Sequence, residues 1–107
     1  MKHSKNMVYK PTETATELYL YAVNTGELYR RYTRDVIENL NRYFKKGLFD
    51  RDKAIDAFYP VATIAAKMYC KEYASVNAYG YVFTVTDRFT VACDMVDRYM
   101  EHIERGI

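Results

Sequence analysis

Apolar residues recur every third or fourth position over most of this chain, the spacing of α-helices that each bury one side. From Glu27 to Lys46, steps of roughly 100° per residue place Leu28, Tyr29, Tyr32, Val36, Ile37, Leu40, Tyr43 and Phe44 on one half of a helical wheel. Arg30, Arg31, Arg34, Glu38, Asn41, Arg42 and Lys45 fill the other half. An apolar arc of about 180° exceeds what one packing partner needs, so this helix is expected to touch two neighbours. Between Arg51 and Tyr73 the arc widens to about 240°, leaving a narrow polar strip of Asp52, Lys53, Asp56, Thr63, Lys67 and Lys71. That pattern predicts a central helix. Pro60 falls on the strip, removes one ladder hydrogen bond and predicts a kink or a break.

Between these helices lies Lys45-Lys46-Gly47-Leu48-Phe49-Asp50, read as one helix end followed almost at once by a helix start. The lysines suit the negative end of a helix dipole, Gly47 can take the left-handed conformation that closes it, and Asp50 can cap the next amides. An antiparallel pair of second and third helices is expected. Upstream, Thr14-Ala15-Thr16-Glu17 matches a capping box for a first helix over about 15–23, although Leu18–Tyr21 also fits a short strand. The Asn24–Glu27 stretch breaks the chain and supplies a second cap.

Beyond the third helix, 75–80 reads as a loop and 81–83 as an extended entry. Thr84 and Asp87 then cap a fourth helix running to about Glu104. Its inner stripe is Val85, Phe89, Ala92, Cys93, Met95, Val96, Tyr99, Met100 and Ile103, with Val91 pointing away from it. The expected fold is all-α, a compact bundle of four helices with a central, Pro-kinked third helix. Residues 1–11 are expected to form a flexible tail ahead of a single helical domain over 12–107.

Composition narrows the function classes. With 107 residues, half of them apolar or aromatic, the chain can bury a core of its own. No apolar run approaches the roughly 20 residues that cross a bilayer, and the first ten residues are basic and polar. A cytoplasmic protein without membrane contact is expected. Cys70 and Cys93 lack close-spaced partners, so buried thiols are the expectation and a disulfide between them the alternative. His3 and His102 have no ligand pattern beside them, and neither a Gly-rich phosphate loop nor a paired carboxylate or nucleophile motif occurs. No metal, cofactor or catalytic residue is expected.

Two features point outward. Net charge is only +2, but Arg30, Arg31, Arg34, Arg42, Lys45 and Lys46 give the second helix a basic outer face on which a phosphate backbone could lie. Against that, Glu27, Asp35 and Glu38 stand one turn from several of these arginines. The chain also holds twelve tyrosines and no tryptophan. Tyrosine and arginine are enriched at protein interfaces, and Tyr19 with loop residues Tyr79 and Tyr81 are candidate contact residues.

The stretch from Glu17 to Ala92 resembles small uncharacterised proteins of bacteriophages and other mobile elements. The resemblance rests on Glu17–Ala22, Leu28-Tyr29, Asn39-Leu40, Lys46–Asp50 with Lys53-Ala54, Ala65–Tyr69, Lys71–Tyr73, and Arg88 before Ala92. These are caps and core positions, so the resemblance implies context and fold, not chemistry. It implies a phage or mobile-element accessory protein in a bacterial cytoplasm; the lack of site chemistry and the excess of tyrosine and arginine point to a non-enzymatic interaction module, which that context extends to an inhibitor of a host factor or of a defence complex such as a CRISPR effector. The expected partner is a host protein or complex. The alternatives are nucleic acid on the basic face of the second helix, and a self-assembling structural protein, beginning with a homodimer, in which that face meets the acidic fourth helix of another copy.

Overall fold

The computed structural model describes residues 7–73 and 83–104, and every regular element among them is a helix. Helix α1 is Glu13–Asn24. Helix α2 covers 26–45 in three continuous parts, Gly26–Leu28, a π-helical stretch Tyr29–Thr33, and Arg34–Lys45. Helix α3 is Arg51–Glu72 and α4 is Val85–Glu104. The chain therefore forms the expected all-α bundle, and 18–21 is helix, not strand.

Packing is led by α3 against α4, with α1 lying on both. The sequential neighbours α2 and α3 touch, but over a smaller contact than α3 and α4. The reason lies in the small residues: Ala54, Ala62, Ala65 and Ala92 are fully enclosed and allow close approach of the helices that carry them. From α1, Ala15, Leu18 and Ala22 enter the same core at spacings of three and four. Phe58 of α3 and Val96 of α4 complete it. Val91, expected to face away, is fully buried. With α1 and α3 both against it, α4 buries a wider arc than a single stripe.

Local chemistry explains where each helix starts and stops. The α1 cap is Thr12, not Thr14: the Thr12 hydroxyl accepts the Ala15 amide at 3.0 Å. Thr14 is drawn elsewhere, donating to Asp87 at 3.0 Å, while the Thr12 hydroxyl donates to the same carboxylate at 2.8 Å. At the start of α4 the expected capping box forms, with Asp87 N–H donating to the Thr84 hydroxyl at 3.1 Å and Thr84 N–H to the Asp87 carboxylate at 3.2 Å. Asp87 thus fastens the beginnings of α1 and α4 to each other. Alongside, Thr90 is fully buried and bonds both ways to the Lys10 backbone, accepting its N–H at 2.8 Å and donating to its carbonyl at 3.2 Å.

The α2–α3 junction forms as its residues dictate. Gly47 has φ of 71°, Leu48 N–H reaches the Tyr43 carbonyl at 2.8 Å, and Gly47 N–H reaches that of Phe44 at 3.0 Å. This is the double hydrogen bond of a Schellman closure, which needs the left-handed residue that glycine supplies without strain. Asp50 then accepts the Asp52 amide at 2.8 Å and starts α3. Thr25 caps nothing; its hydroxyl turns back to donate to the Tyr21 carbonyl at 2.6 Å. Helix α3 runs on through Pro60, which is exposed on the polar strip. Both cysteines are free, and burial pushes the Cys93 thiol up to about 11.

Candidate functional site

Helix α2 departs most from its sequence pattern. Of the wheel's apolar half only Leu28 and Leu40 are buried, while Tyr29, Tyr32, Tyr43 and Phe44 are 36–53% exposed and Leu48 beyond them 58%. The helix does touch two neighbours, α3 by packing and α4 through the Tyr99–Asn41 hydrogen bond, but they cover only part of its apolar half. Around Tyr29 and Tyr32 the period is broken by the π-helical turn, in which Arg34 N–H bonds to the Tyr29 carbonyl five residues back, while Tyr43 and Phe44 lie in the regular stretch with Leu40 where few contacts reach α2. A wheel drawn at one α-helical period loses register across such a turn. Leu28 and Thr33, five apart, both end on the buried side, at 0% and 8% exposure.

An aromatic surface results. Tyr32 and Tyr43 lie open, and Phe44 is braced from one side by Phe49, ring centroids 5.9 Å apart. Phe49 in turn stacks on Tyr99 of α4 at 6.1 Å, fixing the corner at which α2 meets the core. Single exposed apolar residues are ordinary, but several large ones on one helix and its junction form a patch.

The basic residues singled out in the sequence share this helix and its end. Arg30, Arg31, Arg34, Arg42, Lys45 and Lys46 are all exposed. Arg31 pairs with Glu27 at 3.2 Å and Arg42 with Asn39, both solvated contacts on the helix surface that add little stability. Arg30, Arg34, Lys45 and Lys46 make no ion pair among the described residues. Tyr19 of α1 is half-buried against the core and does not join them. Tyr79 and Tyr81, with the loop and extended entry expected there, lie outside the described residues up to Phe83, which is buried.

Between α2 and the rest runs a groove of about 440 Å³. Its α2 wall is Tyr29, Thr33, Ile37 and Asn41, a row spaced by four. Ala22 and Val23 of α1, Phe58 of α3, and Met95, Arg98, Tyr99, His102 and Ile103 of α4 complete the lining. One hydrogen bond crosses it, from the Tyr99 hydroxyl to Asn41 Oδ1 at 2.8 Å. The wheel gave Thr33 no role, and the row 29, 33, 37, 41 was the signal that could have found it.

Away from α2 several polar groups are engaged in structure. Tyr21 donates to Glu72 at 2.7 Å within a cluster with Tyr69 and Tyr73, and burial followed by that hydrogen bond pushes its phenol up to about 12. Arg51 pairs with Asp97 at 2.7 Å. Burial raises Asp94, which accepts the Tyr9 hydroxyl at 2.9 Å. Among the described residues no three histidine, cysteine or acidic side chains gather to hold a metal, and no helix is long and apolar enough to cross a membrane. Comparison with family models, curated proteins and solved structures gives no match. The functional reading therefore stands on the surface of α2.

Proposed function

We propose that the chain is a non-enzymatic protein-interaction module that docks through the outer side of α2. One observation carries this reading: Tyr32, Tyr43 and Phe44 of α2 and Leu48 of the junction after it stand exposed, and the same helix and its end present Arg30, Arg34, Lys45 and Lys46. Covering such apolar side chains recovers about 25 cal/mol for each Å² removed from water, and aromatic residues beside arginine are the commonest energetic anchors of interfaces. Nucleic acid is less well matched, because bulky side chains interrupt the basic face and Glu27 and Asp35 temper its charge. The resemblance to small phage and mobile-element proteins makes a bacterial host protein, including one of a defence complex, the partner class to try first.

Replacing Tyr32, Tyr43 and Leu48 together by serine tests this. These side chains are exposed, so the variant should keep its circular dichroism spectrum and change stability by no more than about 1.5 kcal/mol. Its affinity for the partner recovered by the wild-type chain from bacterial lysate should fall at least roughly a hundredfold. Unchanged capture by the folded variant contradicts the proposal. So does retention of DNA on filters that disappears with added salt and with Arg34→Glu and Lys45→Glu, since that is the behaviour of a phosphate-binding face.

A further inference from the structure

We propose, resting on the docking role of α2 given above, that the partner is an acidic, amphipathic protein segment. It seats apolar side chains beside Tyr43 and Leu48 and turns carboxylates to Arg42, Lys46 and Lys53. Every residue from Arg42 to Leu48 is exposed, and this stretch holds Arg42, Lys45 and Lys46, the large apolar residues Tyr43, Phe44 and Leu48, and no acid. Beside it, between α2 and α3, lies a recess of about 560 Å³. Tyr43, Leu48 and Phe49 line it together with Lys53 and Ala57 of α3, so apolar surface already open to water borders a hollow that can receive side chains.

Charge sets the chemistry of the occupant. Arg42 and Lys46 stand four apart on α2, and Lys46 follows Tyr43 by three, so both cations flank the tyrosine that lines the recess. Lys53 adds a third from α3. Lys46 and Lys53 make no ion pair among the described residues, and Arg42 bonds the neutral side chain of Asn39. Two acids also line the recess, but Asp50 spends its carboxylate on the Asp52 amide and Asp56 is not free either. An uncharged segment laid here would take water from three cations without pairing them, whereas carboxylates pair them and steer the encounter. A second copy of the chain is a poorer match, because the acids on the outer side of its α4 are spent within it: Asp94 accepts from Tyr9, Asp97 pairs with Arg51, and Glu101 is not free.

The test is fluorescence anisotropy of labelled peptides of about 16 residues titrated with the full chain. One peptide carries leucines at helical spacing and glutamates elsewhere, a second has lysines for the glutamates, and a third has serines for the leucines. The glutamate–leucine peptide should bind saturably and at least roughly tenfold more tightly than either control. Lys46→Glu with Lys53→Glu should weaken it at least roughly tenfold. Lys67→Glu with Lys71→Glu, which changes the chain's charge equally at exposed positions of α3 outside the recess, should leave it unchanged. Absence of saturable binding overturns the proposal, as does equal binding of the lysine peptide or equal loss in the two charge-reversed variants. So does tighter binding of single-stranded DNA or of phosphatidylglycerol vesicles that the Lys46 and Lys53 reversal abolishes, or a sedimenting dimer that the same reversal dissociates. The docking role itself fails on a different result, unchanged capture by the serine variant at 32, 43 and 48. A partner lost by that variant but held undiminished by the Lys46 and Lys53 variant overturns the acidic segment alone.

Discussion

Phe58→Ala is expected to cost about 3–5 kcal/mol, the upper end of the range for truncating a core side chain. Phe58 is 1% exposed and is the bulkiest of the fully enclosed side chains. It sits in the middle of α3, where that helix meets the α1–α4 layer, and it also closes the inner end of the groove beside α2. Truncation removes the transfer energy of the ring and leaves a void among enclosed core neighbours, which adds to the cost. A domain of this size holds about 5–15 kcal/mol in total, so the loss is a large share of the whole. Urea unfolding followed by circular dichroism should show a large fall in midpoint, whereas Phe58→Leu should lose less than about half as much.

Asp87→Ala is the second large effect, about 2–4 kcal/mol, and it comes from polar chemistry. The carboxylate is 4% exposed and accepts from the hydroxyls of Thr12 and Thr14 and from the Thr84 amide. Removing it leaves three donors short of a partner in a part-buried site, opens the α4 capping box, and takes a negative charge from the positive end of that helix. The same change frees the start of α1. Hydrogen exchange should therefore show faster exchange of the first-turn amides of both α1 and α4, separated in sequence by more than 70 residues. Faster exchange in α4 alone would mean that the threonine contacts hold nothing together.

Much of the fold was legible in the chain because its determinants are local. Gly47, with a helix before it and Asp50 after it, leaves few ways for the backbone to turn, and the reciprocal cap of Thr84 and Asp87 is fixed by a spacing of three. What escaped were contacts that reach across the molecule. Thr14 had the right spacing to cap α1, but the Asp87 carboxylate 73 residues away drew its hydroxyl, and Thr12 capped instead. Val91 faces away from a single stripe on a wheel, but it is enclosed because α4 has neighbours on two sides.

The candidate site was legible only in part, and for a definite reason. The exposed basic residues of α2 follow directly from the sequence pattern. The exposed aromatics do not, since a uniform helical period assigns Tyr29, Tyr32, Tyr43 and Phe44 to the covered side. A π-helical turn changes that period for five residues, and the alanine-rich contacts of α3 draw α1 and α4 together while α2 stays at the margin.

Site-specific photocrosslinking gives the most direct reading of whether the exposed side of α2 is the working surface. A benzoylphenylalanine placed at position 43 of α2, or at position 67 of α3, which is also exposed, would be irradiated in bacterial lysate. The account predicts a crosslink to one discrete protein from position 43 and none from position 67. A crosslink from position 67 with none from position 43 would contradict it.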